Sequence, residues 1–390
     1  MATELVHLTS ADFEEQIDFI NLVFSQAHVP HDFVNLMPTV CRPEEEYMCR
    51  NLAIKRDGKI RANVLSHTVS MEVAGIKLKF NGIGNVSTHV KETGNGLMKQ
   101  LMNRAIEEMY ADDVDISQLG GLRQRYQYYG YECAGVLKKY GLNTRNLRHT
   151  GFPYPADWHF EPITRETSAW LEKARELYNR QSVRIERGDG GLEDFYRYLI
   201  NWFSKPFACL NGAGEMIGYI CTNADHTSAG EYLMEDAQLE GQMLAAWIGS
   251  GMSEHLDITV MPWKMQLSRE LDRICETTTL SAAHKYRIHN WDRVVKAFME
   301  LKKTCTPVAD GELTIGIEGW GNLGICVEKG KICVEKVDKT PDLTLTAFEA
   351  TRVVFAPYRA SDIAWIPADK AMLVDHWFPL PLNCWPADGV

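Results

Sequence analysis

The sequence predicts an α/β (α+β) protein with two similar mixed α/β domains and a smaller C-terminal α+β domain. Three observations support this. A strand, a glycine-bearing turn and a helix follow one another over residues 81–110, and an antiparallel hairpin precedes them. From about Tyr286 the pattern changes to short alternating strands followed by a helix. We place the domains at residues 1–145, 146–284 and 285–390.

Composition and charge limit the function classes. The 390 residues are 45% hydrophobic and 24% charged, and the net charge of −11 without a basic stripe predicts no nucleic-acid partner. No signal-peptide pattern and no apolar run of about 20 residues is present, so we expect a cytoplasmic protein with no membrane partner. The ten cysteines lack a Cys-x-x-Cys motif, and the twelve histidines show no metal-ligand spacing. We therefore predict reduced cysteines and no metal.

The first predicted domain is expected to begin with a strand and a helix, which antiparallel strands follow. The turn Arg56–Lys59 carries an Asp-Gly pair, which predicts a tight hairpin between two strands. The segment 25–47 is irregular. The predicted elements are a strand over Glu4–Leu8, a helix over Ala11–Phe24, and strands over Asn51–Arg56, Ile60–Met71, Ile76–Phe80, Ile83–Thr88 and Val114–Leu119.

The turn between Lys91 and Gly96 carries the strongest chemical signal. Gly94 and Gly96 lack the Cβ atoms that keep a phosphate from the backbone, and the apolar spacing after them predicts a helix over 97–110. The first amides of a helix are unpaired and lie at the positive end of its dipole. The spacing matches neither a P-loop nor a dinucleotide-binding fingerprint. A phosphate site and a plain tight turn both remain open from the residues alone.

The pattern Lys91-x-x-Gly94-x-Gly96 resembles the acetyl-coenzyme A loop of the GNAT N-acetyltransferase superfamily, Arg/Gln-x-x-Gly-x-Gly/Ala, with Lys91 in the place of the usual first residue. The resemblance implies acetyl-coenzyme A as cosubstrate. It also implies roles for strand amides beside the pantetheine arm, turn and helix amides at the pyrophosphate, and amides at the thioester. These cofactor-binding residues are Val86, Ser87, Thr88, Lys91, Gly94, Asn95, Gly96, Leu97, Met98, Lys99, Gly121 and Leu122.

The aromatic segment Tyr126–Tyr131 is a more specific sequence signal than the glycine turn. Its Tyr-x-x-Tyr-Gly-Tyr pattern resembles the Tyr-Gly-x-Phe-Gly-Tyr segment of the Eis (enhanced intracellular survival) family of GNATs. The match implies that Tyr126 is the general acid, because a phenol near the leaving sulfur can donate a proton as negative charge develops. We expect Tyr128, Tyr129 and Tyr131 to pack in the core.

The resemblance to the Eis family extends over most of the chain. Residues 143–160 are predicted to be a linker, and the following helices and strands repeat the first domain's order without its motifs, as in a degenerate GNAT-like domain. The C-terminal strands and the helix over Ala347–Phe355 resemble a sterol-carrier-like domain. The family also implies a homo-oligomer, with a hexamer as its specific form.

The resemblance assigns the C-terminal carboxylate, here that of Val390, as proton acceptor, although this chain ends Asp-Gly-Val where family members commonly end in an aromatic residue. Asp388, an acidic residue of Glu44–Glu46, and His89 are alternative bases. The predicted activity is N-acetylation of a small polyamine, an aminoglycoside-like compound or a lysine amine by direct attack. A non-catalytic acyl-coenzyme A sensor and a lipid-binding or scaffold protein are the alternatives.

Overall fold

The computed structural model describes residues 3–27, 29–188 and 190–390. The strands within these ranges are β1 (Thr3–His7), β2 (Asn51–Arg56), β3 (Lys59–Val73), β4 (Ile76–Thr88), β5 (Ile116–Leu119), β6 (Glu132–Asn143), β7 (His159–Pro162), β8 (Val183–Ile185), β9 (Lys205–Leu210), β10 (Met216–Thr222), β11 (Ser228–Met234), β12 (His255–Val260), β13 (Thr277–Ile288), β14 (Gly311–Ile317), β15 (Gly321–Glu328), β16 (Lys331–Val337) and β17 (Leu343–Leu345).

Helices cover these strands. Those within the described ranges are α1 (Phe13–Ala27), α2 (Phe33–Leu36), α3 (Glu45–Met48), α4 (Leu97–Ala111), α5 (Arg123–Gln127), α6 (Thr144–Thr150), α7 (Ser168–Asn179), α8 (Leu192–Leu199), α9 (Glu240–Gly249), α10 (Met265–Ile274), α11 (Trp291–Cys305), α12 (Ala347–Phe355) and α13 (Ala368–Trp377). The predicted α/β (α+β) class is confirmed.

One large mixed sheet runs through the first two thirds of the chain. Its order is β1-β2-β3-β4-β5-β13-β6-β12-β11-β10-β9-β7, and β8 pairs with β3. Strand β13 lies between β5 and β6 and pairs antiparallel with both. The second sheet has the order β16-β15-β14-β17, and α11 and α12 contribute to its apolar core.

The predicted hairpin is present, and its Asp57-Gly58 turn has positive φ at both residues, as this tight turn requires. The prediction of separate strands over Ile76–Phe80 and Ile83–Thr88 is wrong, because β4 is continuous. Asn81 in the expected break donates from Nδ2 to Ser66 Oγ at 3.0 Å and Thr68 Oγ1 at 2.9 Å across the pairing with β3. This cross-strand satisfaction lets a polar residue continue a buried strand.

The predicted linker over 143–160 is also wrong, because it contains α6 and the start of β7. Asn143 caps α6 by accepting from the Asn146 amide at 2.8 Å, and Gly151 ends it with φ 64°. Strand β6 immediately before it carries glycines and was not predicted. The expected domain boundaries fall inside α6 and β13, and the three-domain division stays a prediction.

The C-terminal domain follows its sequence pattern closely. Helix α12 has the predicted bounds and begins with a capping box in which Thr346 and Glu349 bond each other's backbone amides. Strands β8, β11 and β17 and helices α10 and α13 were not predicted.

The last thirteen residues, 378–390, form a buried tail that returns to the large sheet. Leu382 accepts from the Val136 amide at 2.8 Å, and Asn383 donates from Nδ2 to the Val136 carbonyl at 2.9 Å. Leu380, Leu382 and Trp385 are fully buried. The tail therefore passes along β6 as part of the folded core.

Candidate active site

The large sheet opens beside β4. Strand β4 pairs in parallel with β5 over Phe80–Ile83 and then continues to Thr88, beyond the end of β5 at Leu119. Residues 84–88 keep their pairing with β3 on the other side. The result is a cleft in which one edge of β4 is open to an extended ligand, since such an edge can add another strand. Val86, Ser87 and Thr88 lie on this part of β4.

The glycine turn lies at the end of this cleft. Gly94 and Gly96 are exposed, have φ of +86° and +74°, and have no heavy atom within 4 Å of where a Cβ would stand. Helix α4 starts directly after Gly96, and Gln100 donates to the Gly96 carbonyl at 3.1 Å as the first closed turn. The amides of Leu97, Met98 and Lys99 precede that turn and have no acceptor within the helix. Open backbone and helix amides together fit a pyrophosphate.

The remaining turn residues have mixed roles. Lys91 is exposed, and its amide donates to His89 Nδ1 at 3.2 Å. Asn95 donates from Nδ2 to Glu92 at 2.8 Å and so braces the loop. The Lys99 ammonium lies 5.1 Å from the centroid of the Tyr128 ring. Tyr128 is 66% exposed, so the expectation that it packs in the core is wrong.

Tyr126 lies at the end of β5. It is the first tyrosine of the segment Tyr126–Tyr131 and is buried on α5. Its ring lies against Gly121, where an added Cβ would stand 2.7 Å from Tyr126 Cε2. Gly121 also has φ +84°, so both its conformation and this contact require glycine. Burial raises the pKa of the Tyr126 phenol, against the Arg125 guanidinium, which lowers it. The phenol therefore keeps its proton at neutral pH. Leu122 beside it is exposed.

The C-terminus enters the same cleft from the other face of the sheet. A Cβ at Gly84 would stand 3.1 Å from the Val390 carboxyl carbon, and a Cβ at Gly82 would overlap Val390 Cγ2. Two glycines in β4 thus form the seat of the chain end. Among the described residues, the Val390 carboxylate makes no hydrogen bond or ion pair. It is free to accept a proton.

Two groups of contacts hold the tail in this position. Asn201 Nδ2 donates to the Ala387 carbonyl at 2.9 Å, and both Asn201 and Trp202 donate to the Gly389 carbonyl at 3.2 Å. Trp202 has φ 58°, in the left-handed region that bulky residues rarely adopt. The loop that holds the tail is therefore itself held in a strained conformation.

Asp388 forms the second anchor. Its carboxylate accepts from Arg187 Nε at 2.7 Å and from the Tyr178 hydroxyl at 3.0 Å, and Arg187 also pairs with Glu231 through two bonds. All these side chains are buried. Burial raises the pKa of Asp388 to about 6 against the pull of Arg187. Because Asp388 is sealed in this network, it does not serve as a base at the cleft.

The other alternative bases also have structural partners. His89 Nδ1 accepts from the Lys91 amide, Glu44 pairs with Arg42 at 2.8 Å, and Glu45 accepts from the Ser10 amide at 2.7 Å. Glu46 lines a separate groove with Arg50 and His67. Of the bases considered, the Val390 carboxylate is the one in the cleft without a partner.

A cavity of about 510 Å³ adjoins the chain end. It lies between the end of β5, the strands of the second domain and the tail, and both Gly120 and Val390 line it. Gly120 has no heavy atom within 4 Å of its Cβ position, so the passage toward Gly121 and Tyr126 is open. The cavity therefore reaches both the end of β5 and the chain end.

Within residues 3–27, 29–188 and 190–390, no group of three or more His, Cys, Asp or Glu residues is arranged to hold a metal ion. The cysteines of these ranges are free thiols. A search of the same ranges finds no helix with the length and apolar character needed to cross a membrane.

Comparison with known families identifies the first domain. Residues 4–134 match the family model of the acetyltransferase (GNAT) domain. The N-terminal third of the chain is a GNAT acetyltransferase domain. The match of residues 4–134 supports an acyltransferase with an acyl-coenzyme A cosubstrate and an amine as the kind of acceptor.

Solved structures show that the fold of the whole chain recurs in other proteins. Eis1 from Mycobacterium abscessus has a TM-score of 0.69 at 12% identity, covering 99% of this chain and 100% of that one. A GCN5-related N-acetyltransferase from Anabaena variabilis has a TM-score of 0.69 at 15% identity over 100% of both chains. Another from Kribbella flavida has a TM-score of 0.68 at 14% identity, covering 100% of this chain and 98% of that one. A comparison with curated protein sequences finds no match. The chain is Eis-like in fold.

The structure adds residues that sequence reasoning missed. Gly82 and Gly84 form the seat of Val390, and their spacing within a strand was a usable signal, because glycine in a strand interior often marks close approach of another backbone. Asn201, Trp202 and Arg187 hold the tail, and they carry no pattern that predicts this role.

Proposed function

We propose that this protein transfers the acetyl group of acetyl-coenzyme A to a primary amine by direct attack in a ternary complex. The acceptor classes that follow from the sequence are a small polyamine, an aminoglycoside-like compound or a lysine amine. The observation that carries the proposal is the unpaired Val390 carboxylate, which lies against Gly82 and Gly84 in β4, while the Tyr126 ring lies against Gly121 just beyond the end of the neighbouring strand β5.

The chain's residues would share the work as follows. The amides of Val86–Thr88 pair with the pantetheine arm, the turn and helix amides from Gly94 to Lys99 hold the pyrophosphate, and the backbone at Gly121 and Leu122 faces the thioester. Lys91 borders the phosphates. The two glycines of the turn leave the space that a pyrophosphate needs.

Proton transfer would use the two ends of the cleft. An alkylammonium has a pKa of about 10, so a base must take its proton before nitrogen can attack. The Val390 carboxylate takes that proton, directly or through water. The new N–C bond forms as the C–S bond breaks, and the Tyr126 hydroxyl donates its proton to the leaving sulfur. The second proton of the attacking nitrogen then returns through water to the Tyr126 phenolate, which leaves a neutral amide. The products are the N-acetylated amine and coenzyme A.

The first test is release of coenzyme A thiol from acetyl-coenzyme A with a panel of amines. Tyr126→Phe is expected to lower kcat by about 10²–10⁴-fold, the range for loss of a general acid, with little change in the calorimetric Kd for coenzyme A. Tyr129→Phe is the matched control, since Tyr129 is similarly buried on the same segment. Equal turnover of Tyr126→Phe and the unaltered protein would reject the acid role.

A second test moves the carboxylate. Two glycines added after Val390 displace the terminal charge from its seat and should abolish most turnover while the Kd for coenzyme A is kept. The control carries two extra glycines at the N-terminus. Binding of acetyl-coenzyme A without turnover of any amine would instead identify an acyl-coenzyme A sensor, and absence of binding would favour a lipid-binding or scaffold protein.

Three further proposals rest on the Eis-like fold. We propose that the chain forms a homo-oligomer, with the hexamer as the form to test by light scattering, and that it acts in the cytoplasm. We further propose that the C-terminal domain is sterol-carrier-like in fold and not a lipid carrier.

A further inference from the structure

The cavity beside Val390 has an unusual distribution of charge. The residues that line it include the acidic or basic side chains of Lys139, Glu231 and His284, together with Val390, which carries the terminal carboxylate. An acceptor amine must bind next to these groups. Which of them remain uncompensated therefore determines the acceptor's own charges.

Glu231 offers no charge to a ligand. It is 1% exposed, and it accepts from Arg187 Nη1 at 2.9 Å, from Arg187 Nη2 and from the Tyr219 hydroxyl at 2.6 Å. The guanidinium of Arg187 also compensates Asp388. A buried carboxylate with an arginine and a tyrosine bound is already satisfied.

His284 is neutral at physiological pH. Burial and the neighbouring Lys285 lower its pKa to about 4. Its ring therefore presents a polar but uncharged edge to the cavity. The hydroxyl and amide side chains of Ser204, Thr222 and Asn223 line the same cavity and are also neutral.

Lys139 is the contrasting group. It lies on β6, is exposed, and makes no ion pair with any residue of the described ranges. Its neighbour Lys138, by comparison, pairs with Asp272 at 3.5 Å. Among the described residues that line the cavity, the Val390 carboxylate is thus the free anion and the Lys139 ammonium the free cation.

We infer that the acceptor is an amino-acid-like amine that also carries an anionic group, rather than a polyamine. This rests on the proposed function and narrows it: the ammonium meets the Val390 carboxylate, and the anion meets Lys139. A polyamine would bring a second ammonium toward Lys139, where the cavity lining has no uncompensated carboxylate to receive it. The lysine class of acceptor fits, since a lysine carries a carboxylate beside its amines.

The test compares three amines that share one carbon skeleton: 6-aminohexanoate, hexylamine and 1,6-diaminohexane. Their reacting amines have similar pKa values, so differences in kcat/KM report the far end of the molecule. We expect 6-aminohexanoate to exceed hexylamine by about fivefold, the upper end for one exposed ion pair, and the diamine to be the poorest.

Lys139→Glu then reverses the cation. It should lower kcat/KM for 6-aminohexanoate by about tenfold and raise that for the diamine above that for hexylamine. Lys329→Glu changes the net charge equally on an exposed turn of the second sheet and should change neither value. Lys139→Gln should abolish the preference without reversing it.

The outcomes separate this inference from the proposed function. Turnover of all three amines at equal efficiency, preference for the diamine, or equal effects of Lys139→Glu and Lys329→Glu would overturn the inference and leave the acetyltransferase intact. Absence of turnover would overturn the proposed function. Calorimetric binding of 6-aminohexanoate and hexylamine to the protein saturated with coenzyme A then decides the inference, which fails if the amino acid binds no better or binds independently of Lys139.

Discussion

Replacement of Gly82 by alanine tests the placement of the chain end directly. Gly82 lies within β4 and its φ is not positive, so alanine brings no backbone strain. Its Cβ would overlap Val390 Cγ2, while the Gly389 carbonyl stays bound to Asn201 and Trp202 at 3.2 Å. The carboxylate is therefore expected to move by roughly 1 Å, and misplacement of that size costs about 10²-fold in rate, or about 2.7 kcal/mol in activation free energy.

The rescue is the decisive part of the assay. The overlap is with a valine methyl group, and Val390 Cβ would lie 3.6 Å from the new Cβ, an ordinary contact. Val390→Ala keeps the terminal carboxylate and removes the overlapping methyl, so Gly82→Ala with Val390→Ala should regain most of kcat. Coenzyme A thiol release at saturating amine measures all four proteins, and thermal unfolding controls for folding. Full turnover in Gly82→Ala alone, or a double variant no faster than it, would refute the assignment.

Two further predictions concern the phosphate turn and the tail anchor. Gly96→Ala should weaken coenzyme A binding by about tenfold. A non-glycine residue at φ +74° costs about 1–2 kcal/mol, and its Cβ would enter the space proposed for the phosphates. The control is Gly58→Ala, at φ +75° in a distant turn, which should leave the calorimetric Kd for coenzyme A unchanged. Burial raises the pKa of Asp388 from 3.8 to about 6, so the folded state holds this proton more tightly and the group's contribution to the free energy of unfolding falls as the pH rises through that window. In urea titrations at several pH values, Asp388→Asn should lack this contribution, and an unchanged difference between acid and neutral pH would contradict it.

The sequence predicted correctly those elements whose first or last residues are set by neighbouring residues in the chain. The Asp57-Gly58 turn, the glycine start of α4 and the capping box of α12 each fix an element through neighbouring residues, and all three elements formed as expected. Strand β4 runs unbroken through Asn81 and Gly82, residue types that are uncommon inside strands, although the prediction placed two separate strands there. Asn81 bonds Ser66 and Thr68, and Gly82 lies against Val390. These partners come from distant parts of the sequence.

The candidate site likewise combines residues that belong to a local sequence motif with residues that only the fold brings together. The roles of the turn residues and of Tyr126 stay predictions, and they come from motifs of closely spaced residues that resemble those of a known family. The tail's route depends on Asn201, Arg187 and Gly84, which are far from it in sequence and which no periodicity links to it. The cavity charges could not be predicted, because Glu231 is cancelled by an arginine and Lys139 is left unpaired only by the fold.

The position of β13 has a consequence for how this protein is made and how it can evolve. Residues 277–288 fill the gap between β5 and β6, so a nascent chain that has completed its N-terminal third still has an open seam with unpaired backbone on both sides. We expect that seam to need shielding by chaperones until the later segment leaves the ribosome. For the same reason, we expect that residues 1–145 fused alone to another protein would lack a complete sheet, because β13 would be left behind.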